Sequence, residues 1–288
     1  MDYEKLGDWS KWLEKNFSPE IMVPTLPVII RLDGNNFSTW TRGLIKPFDE
    51  RLSNLMIETT KMLVKETNAV IGYTQSDEIN LILYSSNRKS AIYNDGKKQK
   101  ILSKLTGKCV QFFNENREKY LPGHTKPAIF DCRIYQTPTL DDACAQLLWR
   151  ENDASKNSIS MLAQSLFSHN RLLGLNGKQK QDIMMLEKGV NWNDLPAKFK
   201  RGTYVKRVIT SKLFSQAEID TLPKNHNARK NPNLVIERNQ ISVVDLPIFS
   251  HISNKVAFVF RDEDFMHLIN LEDIDSFIKK HMFPEDYK

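Results

Sequence analysis

Ala69 to Tyr84 reads AVIGYTQSDEINLILY. Two short apolar runs flank the polar TQSDE, the pattern of two β-strands joined by a tight turn. Upstream, between Phe48 and Glu66, Leu52, Leu55, Met56, Met62 and Leu63 recur at three- and four-residue steps, with a polar gap at Thr59. That spacing predicts an amphipathic helix. Asp49 and Glu50 stand in its first turn, where the helix dipole favours negative charge. Further upstream, Leu26–Leu32 reads as a buried strand ending at Asp33-Gly34. Downstream, Ile101, Leu102, Leu105, Cys109 and Phe112-Phe113 form a helical stripe within Lys89–Asn114, and KPAIFDCRIYQTP (Lys126–Pro138) is a strand bounded by prolines. Strand, helix, hairpin, helix, strand is the order of the split βαβ, ferredoxin-like arrangement, an α+β fold.

The rest of the chain adds to that core. Leu147, Leu148, Ile159, Leu162 and Leu166 predict helix from Leu140 to about Glu187. PKNHNARKNPN (Pro223–Asn233) has no apolar periodicity and reads as a basic surface loop, with Arg229 and Lys230 as plain surface cations. QISVVDLPIF and KVAFVFR read as late strands, followed by a helix around Leu268–His281. No linker interrupts the pattern. The reading is a catalytic core over 1–210 with helical elaboration, and an extension over 211–288 packed on it.

Composition narrows the class. The 288 residues carry a net charge of +6, which permits a polyanionic partner without demanding one. No apolar window reaches the ~18–20 residues of a membrane helix. The first seventeen residues, MDYEKLGDWSKWLEKNF, lack the apolar centre of a signal peptide. Cys109, Cys132 and Cys144 form an odd set without CxxC spacing, as in a reduced cytoplasmic protein. The six histidines are scattered, and no phosphate-binding glycine loop is present.

Chemistry gathers at two strand ends. Asp33 closes the first strand, and Asp77 lies in the hairpin turn. A split βαβ sheet places those strands side by side, so the two acids can face each other. Paired carboxylates repel unless a cation compensates them. Hard divalent ions take oxygen ligands, and two such ions serve in-line phosphoryl or nucleotidyl transfer. Gly34 allows a sharp turn and a close backbone approach to a ligand. Both segments also fit ordinary turns. Asp131 reads as structural, paired with Arg133 or a neighbouring helix.

RLDGNNF, KPFDER and YTQSDEINLIL, continuing through FDCRIY, WRENDASKNSISMLAQ and KFKRGTYVKR, resemble the tRNA-histidine guanylyltransferase superfamily. The resemblance covers residues 23 to 210 in consistent order. KNSI looks like the guanylyltransferase-like branch, which is associated with template-directed repair of truncated 5′ ends. The resemblance implies a polymerase-palm-like core, two Mg²⁺ ions, ATP or GTP as substrate, tRNA as acceptor and a homotetramer. It implies 3′-to-5′ nucleotide addition to a tRNA 5′ end activated as an adenylate or triphosphate. By motif match, Asp33, Asp77 and the Gly34 carbonyl would hold metal. Asn35, Asn36, Phe37, Ser38, Ser76 and Lys46 would line the triphosphate site. Arg31 and Lys100 would hold phosphate oxygens, and Asn157 would lie near the nucleotide. Arg150 and Lys156 would face the nucleotide or RNA end, with Lys198, Lys200 and Arg201 on the RNA backbone. The chain departs from the family where Asn35 replaces the usual Arg and Ser38 the frequent His. A nucleotide cyclase, a forward polymerase or a non-catalytic RNA-binding protein are the competing readings.

Overall fold

A computed structural model describes residues 20–231 and 233–268. The expected core is there: β1 (Val28–Gly34), α1 (Glu50–Thr67), β2 (Ile71–Gln75), β3 (Glu78–Leu83), α2 (Lys98–Tyr120) and β4 (Phe130–Gln136). Then follow α3 (Leu140–Leu166), α4 (Gly177–Lys188), β5 (Thr203–Leu213), β6 (Val235–Val244) and α5 (Lys255–Phe260), with short helical turns between. The strands form one sheet in the order β4-β1-β3-β2-β5-β6, antiparallel throughout. Position 210 falls within β5, so the sheet runs through the boundary drawn there.

Side-chain alternation sends the two faces of each strand to different layers. Val28, Ile30, Leu32, Ile79 and Leu81 pack against α1 and α2 through Leu55, Met56, Leu63, Ile101, Leu105 and Phe113. On the other face, Ile29, Ile71, Tyr73 and Ile82 meet Ala143, Cys144, Leu147 and Leu148 of α3. The sheet is therefore the middle of three layers. The polar gap of α1 is buried as well. Thr59 is fully enclosed and donates its hydroxyl to the Leu55 carbonyl at 2.8 Å, which removes the penalty of an unpaired group. Asp49 caps α1 by accepting from the Arg51 N–H, and a reciprocal Thr139–Asp142 box starts α3.

Four expectations change. KVAFVFR is the helix α5 rather than a strand, because Lys255, Phe258 and Val259 fall at helical spacing and bury against α3 and its neighbours. This is packing overriding the strand propensity of valine and phenylalanine. The second core helix, read within Lys89–Asn114, spans Lys98–Tyr120 and so runs past that stretch. The long helical stretch breaks after Leu166 and resumes as α4, capped by Asn176. The loop expected at Pro223–Asn233 contains one helical turn, Asn227–Lys230, and Arg229 pins it by donating to the carbonyls of Leu222 and Asp220. The helix expected at 268–281 lies almost wholly outside the described residues.

Candidate active site

Backbone pairing alone brings the two acids to one edge of the sheet. Asp33 stands directly across from Glu78 on β3 and from Asp131 on β4. The Gly34 N–H donates to the Asp77 carbonyl at 3.1 Å, so the end of β1 is stitched to the tip of the hairpin. Ser76 takes the left-handed conformation (φ 50°) that a two-residue hairpin turn requires. Gly34 is needed for space, since a methyl group there would run into the Phe37 ring.

The electrostatics are those of acids crowded into a partly dry place. Burial pushes the Asp77 carboxyl up to about 6, against hydrogen bonds from Ser76 and its own backbone, with the Asp33 charge adding to the rise. Asp33 is also raised, first by burial, then by the Glu78 and Asp131 charges, and is eased by Arg31 and Arg133. Both groups resist ionisation until a cation joins them. Two carboxylates beside main-chain oxygens are a donor set that fits a hard divalent ion. Among the described residues no three His, Cys, Asp or Glu side chains converge, so such an ion would need further oxygens from a substrate.

Other expected site residues divide. Asn35, Asn36 and Ser38 are exposed just beyond β1. Ser76 is exposed at the hairpin tip. Phe37 is buried, stacked on Trp40 at 4.8 Å and packed against Phe113 and Phe130, so its ring is core rather than lining. Lys46 is exposed in the loop before α1. That loop is fixed by Asp49, which accepts from the Ile45 N–H, and by Phe48 stacking on Phe199. The helix Ala197–Arg201 then packs beside the hairpin, where the Arg201 carbonyl accepts from the Tyr73 hydroxyl at 2.7 Å. Lys198 pairs with Glu50 and Lys200 donates to the Asn193 carbonyl. These two lysines therefore have partners inside the chain.

Lys100 is a correction. The chain leaves β3 at the end of the sheet away from Asp33, and α2 starts there, tied by the Lys98 N–H to the Glu20 carbonyl. One strand length, roughly 20 Å, separates Lys100 from the acids. Within one chain it cannot hold the same phosphate. Arg150 is the second correction. It is buried and forks onto Glu78 through two bonds of 2.7 and 2.6 Å, with Asp153 accepting a third at 3.0 Å. It braces the strand that follows Asp77 rather than reaching for RNA. α3 runs on beyond, so Lys156 and Asn157 are exposed on its continuation past Arg150, Asn157 donating to Asp153. Asp131 does pair with Arg133, at 3.6 Å on the surface.

Sequence reasoning overlooked Glu78. A charged residue opening an otherwise apolar strand was the available signal, because a buried acid must find a cation, and Arg150 is that cation.

Comparison with known proteins identifies the family. The family model "Thg1: tRNAHis guanylyltransferase" matches residues 11–138. A bacterial tRNA(His) guanylyltransferase (Thg1)-like protein in complex with ATP superposes with a TM-score of 0.70 at 34% identity, covering 88% of this chain and 99% of that one. The chain belongs to the Thg1 family. A GTP complex of a bacterial Thg1-like protein gives a TM-score of 0.65 at 33% identity, covering 85% of this chain and 94% of that one. The tRNA(His) guanylyltransferase of Saccharomyces cerevisiae is 28% identical over 212 residues, 65% of this chain and 85% of its own length. Among the described residues no helix is long and apolar enough to cross a membrane.

Proposed function

We propose that this chain, a nucleotidyltransferase by family membership, adds nucleotides in the 3′-to-5′ direction to the 5′ end of tRNA. ATP or GTP activates the 5′ phosphate or is added to it. The observation that carries the reading is the stitched pair of acids, Asp33 at the end of β1 and Asp77 at the hairpin tip. The family relationship and the ATP and GTP complexes of Thg1-like proteins support the choice of substrates.

In the reaction, the 3′-hydroxyl of the incoming nucleotide attacks the activated 5′ phosphorus. A new P–O bond forms, and pyrophosphate or AMP leaves. Bound Mg²⁺ would supply Lewis-acid stabilisation and an ionised hydroxyl at neutral pH. Asp33, Asp77 and the Gly34 carbonyl would hold it, as two ions. Ser76, by hydrogen bonding to Asp77, favours the charged form of that ligand. Asn35, Asn36 and Ser38 offer neutral donors to the triphosphate, and Lys46 an exposed cation. Asn35 and Ser38 in place of arginine and histidine give a less cationic pocket, which suits a weaker or broader choice of nucleotide. Lys156, Asn157 and Arg201 remain for the RNA. The family also implies a homotetramer working in the cytoplasm.

The test is incubation of tRNA with labelled ATP or GTP and Mg²⁺. A product extended at its 5′ end, lost in Asp33→Ala and Asp77→Ala by on the order of a hundredfold or more, is expected. A cyclic nucleotide, or extension only at the 3′ end, would overturn the proposal.

A further inference from the structure

The sheet face that meets α3 carries an uncovered strip along its β4 edge. Side chains on β1 and β4 pair directly across the strands there: Ile29 with Tyr135, Arg31 with Arg133, and Asp33 with Asp131. Two successive pairs are thus like-charged, an arginine pair and an acid pair, one pleat repeat or roughly 7 Å apart. Like charges directly opposite one another destabilise a sheet unless something of the other sign joins them. The acids and the arginines neutralise each other in part, Asp131 meeting Arg133 at 3.6 Å, and a cation taken up by the acids leaves the arginines to an anion.

Hydrogen bonding points the same way. Among the described residues the buried Arg31 Nε has no partner, while the Arg133 side chain is 56% exposed and meets Asp131 at a long 3.6 Å. Two aromatic rings flank the pair. Trp149 on α3 is 43% exposed and lies 6.0 Å from the Arg31 guanidinium, and Tyr135 is 40% exposed with its hydroxyl donating to Gln146. Trp149 also has the Arg150 guanidinium 4.5 Å from its ring centre, and an exposed ring beside the unpaired Arg31 Nε and the exposed Arg133 is the composition of a stacking site for a phosphate-bearing base. β4 is the edge strand of the sheet, with Asp131, Arg133 and Tyr135 exposed along it. Lys46, the cation expected on a free triphosphate, belongs to a different segment, the loop before α1.

We propose that Arg31 and Arg133 receive the terminal phosphate of the RNA 5′ end, with its first base stacked on Trp149. This rests on the reading of Asp33 and Asp77 as the transfer centre and assigns the acceptor a place next to it. Arg133 and Trp149 are the new residues.

The experiment measures fluorescence anisotropy of one 3′-labelled RNA hairpin, carrying either a 5′-monophosphate or a 5′-hydroxyl, without nucleotide. Wild type should prefer the phosphorylated end by about tenfold, the worth of a charge-assisted bond. Arg133→Gln should erase that preference while binding the hydroxyl form normally. Trp149→Ala should weaken both forms about tenfold and Trp149→Phe should restore most of the loss. Circular dichroism and melting curves check that the variants fold, and both side chains are exposed enough for that. The proposal is overturned by wild type with no end preference, by Arg133→Gln that keeps it, or by folded Trp149→Ala that binds like wild type. It is also overturned if free ATP displaces the RNA and Arg133→Gln weakens ATP to the same degree, which would give the strip to the nucleotide. The two readings fail separately. Nucleotide addition with an unchanged preference in Arg133→Gln sinks the strip alone, whereas a lost preference without any addition by wild type sinks the proposed reaction and leaves the strip standing.

Discussion

Asp77→Asn removes one charge and almost no volume from the hairpin tip. The carboxyl has an ordinary value of 3.8 and is pushed up to about 6 in the folded chain, chiefly by burial. The native state therefore holds the proton more tightly than the unfolded chain does. The resulting contribution to stability is full below the unfolded value and is lost as pH rises through about 6. At about pH 8 the metal-free protein carries an ionised Asp77 at a cost of roughly 3 kcal/mol, or about 2 after allowing for water at a half-buried site. Asparagine avoids that cost. Unfolding entropy for a chain of this length is on the order of 0.6 kcal/mol per degree, so the variant should melt about 3 °C higher. Differential scanning fluorimetry in EDTA at about pH 8 and pH 5 reads this directly. The gap should shrink by about half at the lower pH, which lies between the unfolded and folded values. Adding Mg²⁺ with GTP should raise wild type and leave Asp77→Asn nearly unmoved, since only the wild type binds the ligand tightly. A variant that melts at or below wild type at high pH with a native spectrum, or a gap equal at both pH values, would refute the electrostatic account.

Arg150→Ala strands Glu78 without its partner and should cost roughly 3–5 kcal/mol in urea unfolding. Arg150→Lys should recover only part, because an ammonium cannot make the two-pronged contact; a loss under about 1 kcal/mol would mean the pair is screened by water. Gly34→Ala must displace the Phe37 ring and should lose about 1–3 kcal/mol together with most nucleotide addition, and unchanged activity and melting would show that the ring has room to move. Lys198→Ala breaks only a surface pair with Glu50, so its stability should fall by less than about 1 kcal/mol. If Lys198 also meets RNA, the same variant should lower the salt dependence of tRNA binding by about one phosphate, seen as a shallower slope in a titration series.

The core fold was legible because periodicity carries it. Val28–Leu32, the stripe of α1 and the QSDE turn each state their conformation locally, and their order leaves few topologies. Asp33 and Asp77 followed from that order, since neighbouring strands bring their ends together. Register was not legible. Nothing local says that Arg31 faces Arg133 or that Glu78 meets Arg150, seventy-two positions away. Lys100 was misread for a related reason. Its motif matches, but the direction of α2 is set by the crossover from β3, and that carries it to the far end of the sheet. Phe37 sits in a motif of pocket residues, yet its ring has three aromatic neighbours and no reason to leave them. In KVAFVFR, residues that favour strands individually were overruled by a helical packing surface against α3.

The seam between Gly34 and the Asp77 carbonyl is made of main chain, as is the pairing of Asp33 with Glu78. Apart from the space Gly34 must leave for the Phe37 ring, such a seam does not depend on which side chains surround it. Loop residues such as Asn35 and Ser38 can be exchanged without altering how far apart the two carboxylates are carried. On the proposed reading of Asn35, Ser38 and the two acids, selectivity for a nucleotide can then drift while the reacting geometry stays put, so a scaffold of this kind can change its substrate without first having to relearn its chemistry.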